Sequence, residues 1–322
     1  MTPRLTLLLA LAGLASGMPA QTPAPAPSAS ARPFTFEVDV DVVSLNVVVF
    51  DKAGKFVRGL GASEVQVLED GVPQQVSYFQ EASGPGAAKI PLSVVLVLDA
   101  SGSMRTSLRF LQEAASAFVN RLEESDQALV VDFNEGVRGS GEFTGDAERL
   151  DRSVEGLQAW GGTSLYDAIH YALNRVKDQP GRKALLVFSD GADTTSQLKE
   201  QEVVDYARAV EASVYCVGIR GETGLVARSP RGFLRKVAKE TGGEFFFPDR
   251  VGELVKAFAA ISDELHNHYA LGYTPKRPPD GGWRQISVKL NLKDAEVRVR
   301  KGYFAVKRRK PLAPAAGEPP SS

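Results

Sequence analysis

The strongest constraint on this chain is a nearly unbroken apolar run, Leu92–Leu98. It stops abruptly at Asp99-Ala100-Ser101-Gly102-Ser103. An apolar run without alternation reads as a strand covered on both faces, the signature of a parallel sheet flanked by helices. A second such run, Ala184–Phe188, stops at Ser189-Asp190-Gly191. In open α/β sheets ligands collect at the carboxyl ends of the strands, where neighbouring connections leave for opposite faces. If these strands are neighbours, Asp99 and Asp190 share one rim. The Asp-x-Ser-x-Ser spacing also puts three small oxygen donors on one turn, and hard divalent cations select oxygen.

The text around these strands alternates. Met104, Leu108, Leu111, Ala115, Phe118 and Leu122 lie on one helical face. A strand at Ala128–Phe133, an edge strand at Val137–Phe143 and a short helix through Leu150, Val154 and Leu157 follow. The loop Trp160-Gly161-Gly162-Thr163-Ser164 opens a helix through Leu165, Ile169, Ala172 and Val176. Past the second apolar strand the pattern predicts a helix over Lys199–Val210 and a strand over Ser213–Ile219. A helix near Phe233–Glu240, a strand at Glu244–Phe247 and a last helix through Leu254 and Leu265 complete it. This is α/β text: a doubly wound, mostly parallel sheet with helices on both faces, spanning residues 89–268.

Residues 34–82 and 269–306 read differently. Phe36, Val38, Val40 and Val42 alternate with polar residues, then the phase flips to Leu45, Val47 and Val49. Val65, Val67, Val76, Tyr78 and Phe79 continue in short strands around the turn Glu69-Asp70-Gly71. After Tyr269–Tyr273, residues Ile286, Val288, Leu290, Val297 and Val299 alternate again. The first α/β strand starts, and the last helix ends, at the face opposite the polar loops. The two β segments are therefore expected to join into one small β domain.

Residues 1–20 have the layout of an export signal: Arg4, an apolar core from Leu7 to Ala15, then small residues. That core is too short for an ordinary membrane span, and nothing later is apolar enough for one. Residues 21–33, rich in Pro and Ala, read as a linker, and residues 307–322 as a disordered tail. The expected location is the periplasm or the outside of the cell. With 38 basic and 39 acidic residues there is no electrostatic case for nucleic acid. The one cysteine, Cys216, excludes an internal disulfide and any Cys-rich zinc site. Inside an apolar strand it reads as a buried, inert thiol.

The loop at Gly161-Gly162-Thr163 brings one more hydroxyl, so the candidate set is Asp99, Ser101, Ser103, Thr163 and Asp190. Each has a plainer reading: Asp99 as a helix cap, the two serines as turn residues, Thr163 as an N-cap, Asp190-Gly191 as an ordinary turn. Taken together and in this order, the five resemble the metal-ion-dependent adhesion site of von Willebrand factor type A (VWA) domains. The likeness covers about residues 89–268. The flanking Leu68-Glu69-Asp70-Gly71, Tyr269–Tyr273 and Lys301-Gly302-Tyr303-Phe304 resemble bacterial exported proteins described as VWFA-related. The resemblance implies that Ser101 and Ser103 hold a divalent cation directly, and Thr163 directly or through water. Asp99 and Asp190 would act mainly through water. A coordination position stays open for the Asp or Glu of a protein partner. Magnesium fits such a set best, with manganese as a substitute, whereas calcium wants more ligands.

Catalysis is the weaker reading. An aspartyl-nucleophile phosphatase needs a second Asp where Ser101 stands. None of His170, His266 and His268, all read as helical, sits by a strand-end serine, and no Gly-x-Ser-x-Gly elbow occurs. The chain is therefore expected to be a metal-dependent protein-binding module, not an enzyme. The alternative is a structural envelope protein whose ion only stabilises the fold.

Overall fold

The computed structural model describes residues 42–82, 90–139, 141–190, 193–218, 228–248 and 253–306. The expected export signal, linker and tail, and the alternation at Phe36–Val40, lie outside the described residues.

The α/β part is built on β5 (Leu92–Asp99), with every residue buried. Around it run β6 (Gln127–Phe133), β7 (Val137–Arg138), β8 (Arg182–Ser189), β9 (Ser213–Gly218) and β10 (Phe245–Phe246), in the order β10-β9-β8-β5-β6-β7. All neighbours are parallel except β7, which closes the edge antiparallel to β6. Two layers of helices explain why β5 has no polar face. Leu92, Val94, Leu96 and Leu98 pack with α1 (Leu108–Val119), α2 (Ala147–Glu155) and α6 (Leu254–His266). Val95 and Val97 face the other way, onto α3 (Leu165–Val176), α4 (Glu200–Ala209) and α5 (Arg228–Thr241). The connection after β5 enters α1 on one face, and the connection after β8 enters α4 on the other. The crevice between these two central strands is therefore the switch point where such sheets bind ligands.

The β text forms two antiparallel sheets over one core. In the first, β1 (Val43–Phe50) lies between β13 (Glu296–Arg298) and β11 (Tyr269–Tyr273), with β4 (Val76–Glu81) outside β11. The second has the order β14-β12-β2-β3, from Gly302–Phe304, Trp283–Leu290, Val65–Glu69 and Val72–Gln74. Val43, Leu45, Val47 and Val49 of β1 point into the core with Val67, Leu271 and Ile286. The inward phase of β1 begins at Val43, and Val42 is exposed. Strands from before and after the α/β part are directly paired: Leu45 with Leu271, and Tyr269 with both Val47 and Glu81.

The sandwich meets the end of the α/β part away from the strand-end turns. Arg298 reaches Glu264 of α6 at 2.9 Å and Glu244 at 3.0 Å. Arg182, at the start of β8, donates to the Leu265 carbonyl and meets His268 Nδ1 at 2.9 Å. Burial first, then Arg182, pushes His268 down to about 2, so the ring is neutral. His268, expected on a helix, lies beyond it: α6 ends at His266, and Asn267 is extended (φ −114°, ψ 96°) and turns the chain into β11. Cys216 is buried in β9, and burial pushes its thiol up. Among the described residues no helix is long and apolar enough to cross a membrane.

Candidate metal centre

The site grows from the end of β5. Asp99 is fully buried (0 % exposed), and the chain turns immediately after it. The Ser101 N–H donates to its Oδ1 at 2.9 Å, which makes the turn. The Ser189 hydroxyl, at the end of the neighbouring β8, donates to its Oδ2 at 2.6 Å. Ser101 and Ser103 bring their hydroxyl oxygens within 3.1 Å of each other. Asp99 therefore accepts hydrogen bonds from neutral groups while sitting out of water. Burial pushes its carboxyl up to about 6, against the hydrogen bonds from Ser101 and Ser189, and the nearby Asp190 carboxylate adds to the rise.

The glycine-rich loop is tied to this turn by its backbone. Gly102 N–H donates to the Gly161 carbonyl at 3.0 Å, and Trp160 N–H to the Ala100 carbonyl at 3.0 Å. A second clamp comes from the segment after β8. Thr163 N–H donates to Thr194 Oγ1 at 2.9 Å, and the Thr163 carbonyl accepts from the N–H groups of Thr194 and Thr195 at 2.8 and 3.1 Å. Ser164 and Thr195 pair through their hydroxyls at 2.8 Å. The approach needs Gly162, where a Cβ would lie 2.8 Å from Thr195 Cγ2. With its backbone held on both sides, Thr163 is buried, and its hydroxyl makes no hydrogen bond among the described residues.

All five predicted residues thus come from three turns that meet at one rim. Asp99, Ser101 and Ser103 share the first turn, and Thr163 sits on the loop bonded to it. Asp190 ends the adjacent strand, close enough to act on Asp99. Gly191 lies outside the described residues. Asp167 and Asp193 have other tasks. The Asp167 carboxylate accepts from the N–H groups of Gln197 and Leu198, and that of Asp193 from Ser196 and Tyr166. The sequence reading missed Ser189, which looked like the polar end of a strand, and the pair Thr194-Thr195. Their only signal was hydroxyl residues on either side of residues 190–193, Ser189 before them and Thr194-Thr195-Ser196 after them.

The donor chemistry fits a divalent cation. Two carboxylates repel across the crevice, and hydroxyl oxygens of two turns are presented beside them. Among the described residues no group of three or more His, Cys, Asp or Glu is placed to hold a metal. The donors at this rim are instead hydroxyl-rich, which suits hard, oxygen-seeking ions. The histidines lie elsewhere: His170 packs at a tilt on Tyr206 with ring centres 4.4 Å apart, His266 bonds to Asp126 at 2.9 Å, and His268 bonds to Arg182.

Residues 94–192 match the family model described as von Willebrand factor type A domain. The chain carries a VWA domain, and its α/β sheet with helices on both faces is the fold of that domain. It is 29% identical over 182 residues to inter-alpha-trypsin inhibitor heavy chain H4 of Sus scrofa, a match covering 52% of this chain and 19% of that protein. The match to heavy chain H2 of Mus musculus is 28% over 205 residues, covering 57% and 21%. The chain thus spans about a fifth of the length of the curated relatives it matches. A solved VWA structure from Catenulispora acidiphila covers 84% of this chain and 76% of its own, with 14% identity and a TM-score of 0.48.

Proposed function

We propose that the VWA domain binds a divalent cation at the rim of its sheet and uses it to capture a partner protein through an Asp or Glu. In this reading Ser101, Ser103 and Thr163 hold the ion. Asp99 and Asp190 hold its water shell and orient the hydroxyls. The bound cation supplies an electrophilic centre with a position open for an outside carboxylate. Magnesium is the proposed ion, with manganese able to replace it and calcium less suited. The chain's role is binding, not catalysis. We place the protein outside the cytoplasm, in the periplasm or beyond, with residues 1–20 as its export signal. The β segments on either side of the VWA domain serve as its accessory domain.

The observation that carries this reading is Asp99, a carboxylate that burial makes reluctant to ionise and whose hydrogen-bond donors among the described residues, the Ser101 N–H and the Ser189 hydroxyl, are neutral. Such a group gains most from a cation placed against it. The test is capture of a partner from envelope extract by the full chain with Mg²⁺, with EDTA, and with Asp99→Ala. Binding is expected only in the first condition and to return when Mg²⁺ or Mn²⁺ is restored. Unchanged Mg²⁺ affinity in Asp99→Ala would remove the site assignment. If EDTA lowers the melting temperature while capture persists, the ion serves the fold alone.

A further inference from the structure

Beside the proposed ion site stands a large aromatic with one side in water. Trp160, on the loop that carries Thr163, is 45% exposed. Next to it opens a cleft of about 280 Å³, bounded by Asp132, Arg138, Arg152, Leu157 and Gln158. Arg138 lies over the indole ring, 5.5 Å from its centroid. Its Nε and Nη2 both donate to Asp132 Oδ2, at 2.9 and 2.7 Å, and its Nη1 has no acceptor among the described residues. Among the described residues Arg152 has one ion pair, to Glu148 at 3.8 Å, too long for a hydrogen bond. The indole N–H likewise has no acceptor among the described residues.

The cleft therefore presents three unspent donors, two of them cationic. The one carboxylate among the described residues that line it, Asp132, is already engaged by Arg138. Leu157 gives it a buried apolar wall. Arginine and tryptophan are the side chains that anchor interfaces most often, and guanidinium donors bind carboxylates with charge-assisted hydrogen bonds. We infer that this cleft takes a second acidic side chain from the same partner segment whose first acid meets the cation. The recognised element is thus an acidic peptide with two spaced carboxylates. This rests on the metal-centre reading: the ion fixes the first acid, and the loop from Trp160 to Thr163 joins the two positions.

The test uses the full chain and blocked peptides in isothermal titration with saturating Mg²⁺. One peptide carries a single Glu among glycines, and a series adds a second Glu after glycine spacers of increasing length. At the matching spacer the second acid is expected to tighten binding roughly tenfold, the scale of one charge-assisted hydrogen bond. That gain is expected to vanish in Arg152→Ala and to shrink in Trp160→Phe, while both variants bind Mg²⁺ alone as the wild type does. The cleft proposal is overturned if no spacer gives a gain, or if the gain survives in both variants, with Mg²⁺ still binding. If Mg²⁺ and Mn²⁺ fail to bind at all, the metal centre falls and this proposal falls with it.

Discussion

Asp99 and Glu69 are two carboxylates buried almost equally, at 0% and 2% exposure. One sits at the rim of the α/β sheet and the other inside the sandwich. Glu69 accepts from the hydroxyls of Tyr273 and Tyr303 at 2.9 and 2.8 Å, and Arg284 Nη1 reaches its other oxygen at 3.2 Å. Its charge is answered by a guanidinium as buried as itself. Asp99 has a serine N–H, a serine hydroxyl and a neighbouring carboxylate, and among the described residues no cationic side chain takes part. The difference separates structure from site. A buried charge neutralised within the protein holds the fold, whereas one left to be neutralised from outside marks a place for a ligand.

The largest expected effect lies on the sandwich side. Arg284→Met removes the buried cation from Glu69, leaving only the half-exposed Arg277 at 3.5 Å, and should lower unfolding free energy by about 3–5 kcal/mol, the usual loss when a buried pair keeps only one partner. Urea unfolding at neutral pH measures it, and a loss below about 1 kcal/mol would show that Arg284 does not hold that charge.

Asp99→Asn should act with the opposite sign. The folded Asp99 carboxyl stands at about 6 against an ordinary 3.8, so the folded state holds the proton more tightly than the unfolded state does. The contribution of Asp99 to the stability of the metal-free protein is therefore highest below 3.8 and declines until about 6. The penalty above that point is on the order of 3 kcal/mol. Asn removes it, so the variant should unfold at higher urea than metal-free wild type at pH 7, with little difference at pH 4, while losing Mg²⁺ affinity. A variant less stable than wild type at pH 7 would erase the contrast with Glu69.

Magnesium at about a hundred times its dissociation constant should stabilise the wild type by about 2.7 kcal/mol. It should leave Asp99→Asn unmoved, and the wild-type response should weaken as pH falls below about 6, where a proton competes for Asp99. Calorimetric melting with and without the ion reads this directly. The smallest effects come from single hydroxyls. Tyr303→Phe and Ser189→Ala should each cost about 1 kcal/mol, but only Ser189→Ala should also weaken Mg²⁺ binding.

How far the chain could be read in advance follows the same contrast. The strands β5 and β8 were legible because burial on both faces leaves no room for alternation, and their polar ends then stood out. Asp99, Ser101 and Ser103 were legible because one short turn carries all three. The pairing of Arg284 with Glu69 was not: each sits on the inward phase of its strand, in step with Val67 and Ile286, but the two are 215 residues apart and nothing in the sequence matches one charge to the other. The expected edge strand at Val137–Phe143 shrinks to Val137–Arg138 for a local reason. Tyr171 covers Gly139, where a Cβ would lie 2.5 Å from its ring, and its hydroxyl takes the Gly139 carbonyl at 3.1 Å. Strand β14 was missed because three residues are too few to show a period. The Thr194-Thr195 clamp escaped because hydroxyl residues after a strand read as an ordinary loop.

Glu81 and Tyr269 face each other across one rung of an antiparallel ladder, where opposed residues stand about 5 Å apart. The VWA domain thus occupies the position of a hairpin turn: the chain leaves β4, makes the whole domain and returns to β11 at the point it left. Seen this way the domain is a cassette. Its two ends already coincide, so closing the gap with a short Asn-Gly turn restores an ordinary hairpin. The sandwich core would lose none of its strands, and a different insert with adjacent ends would be held on the same mount.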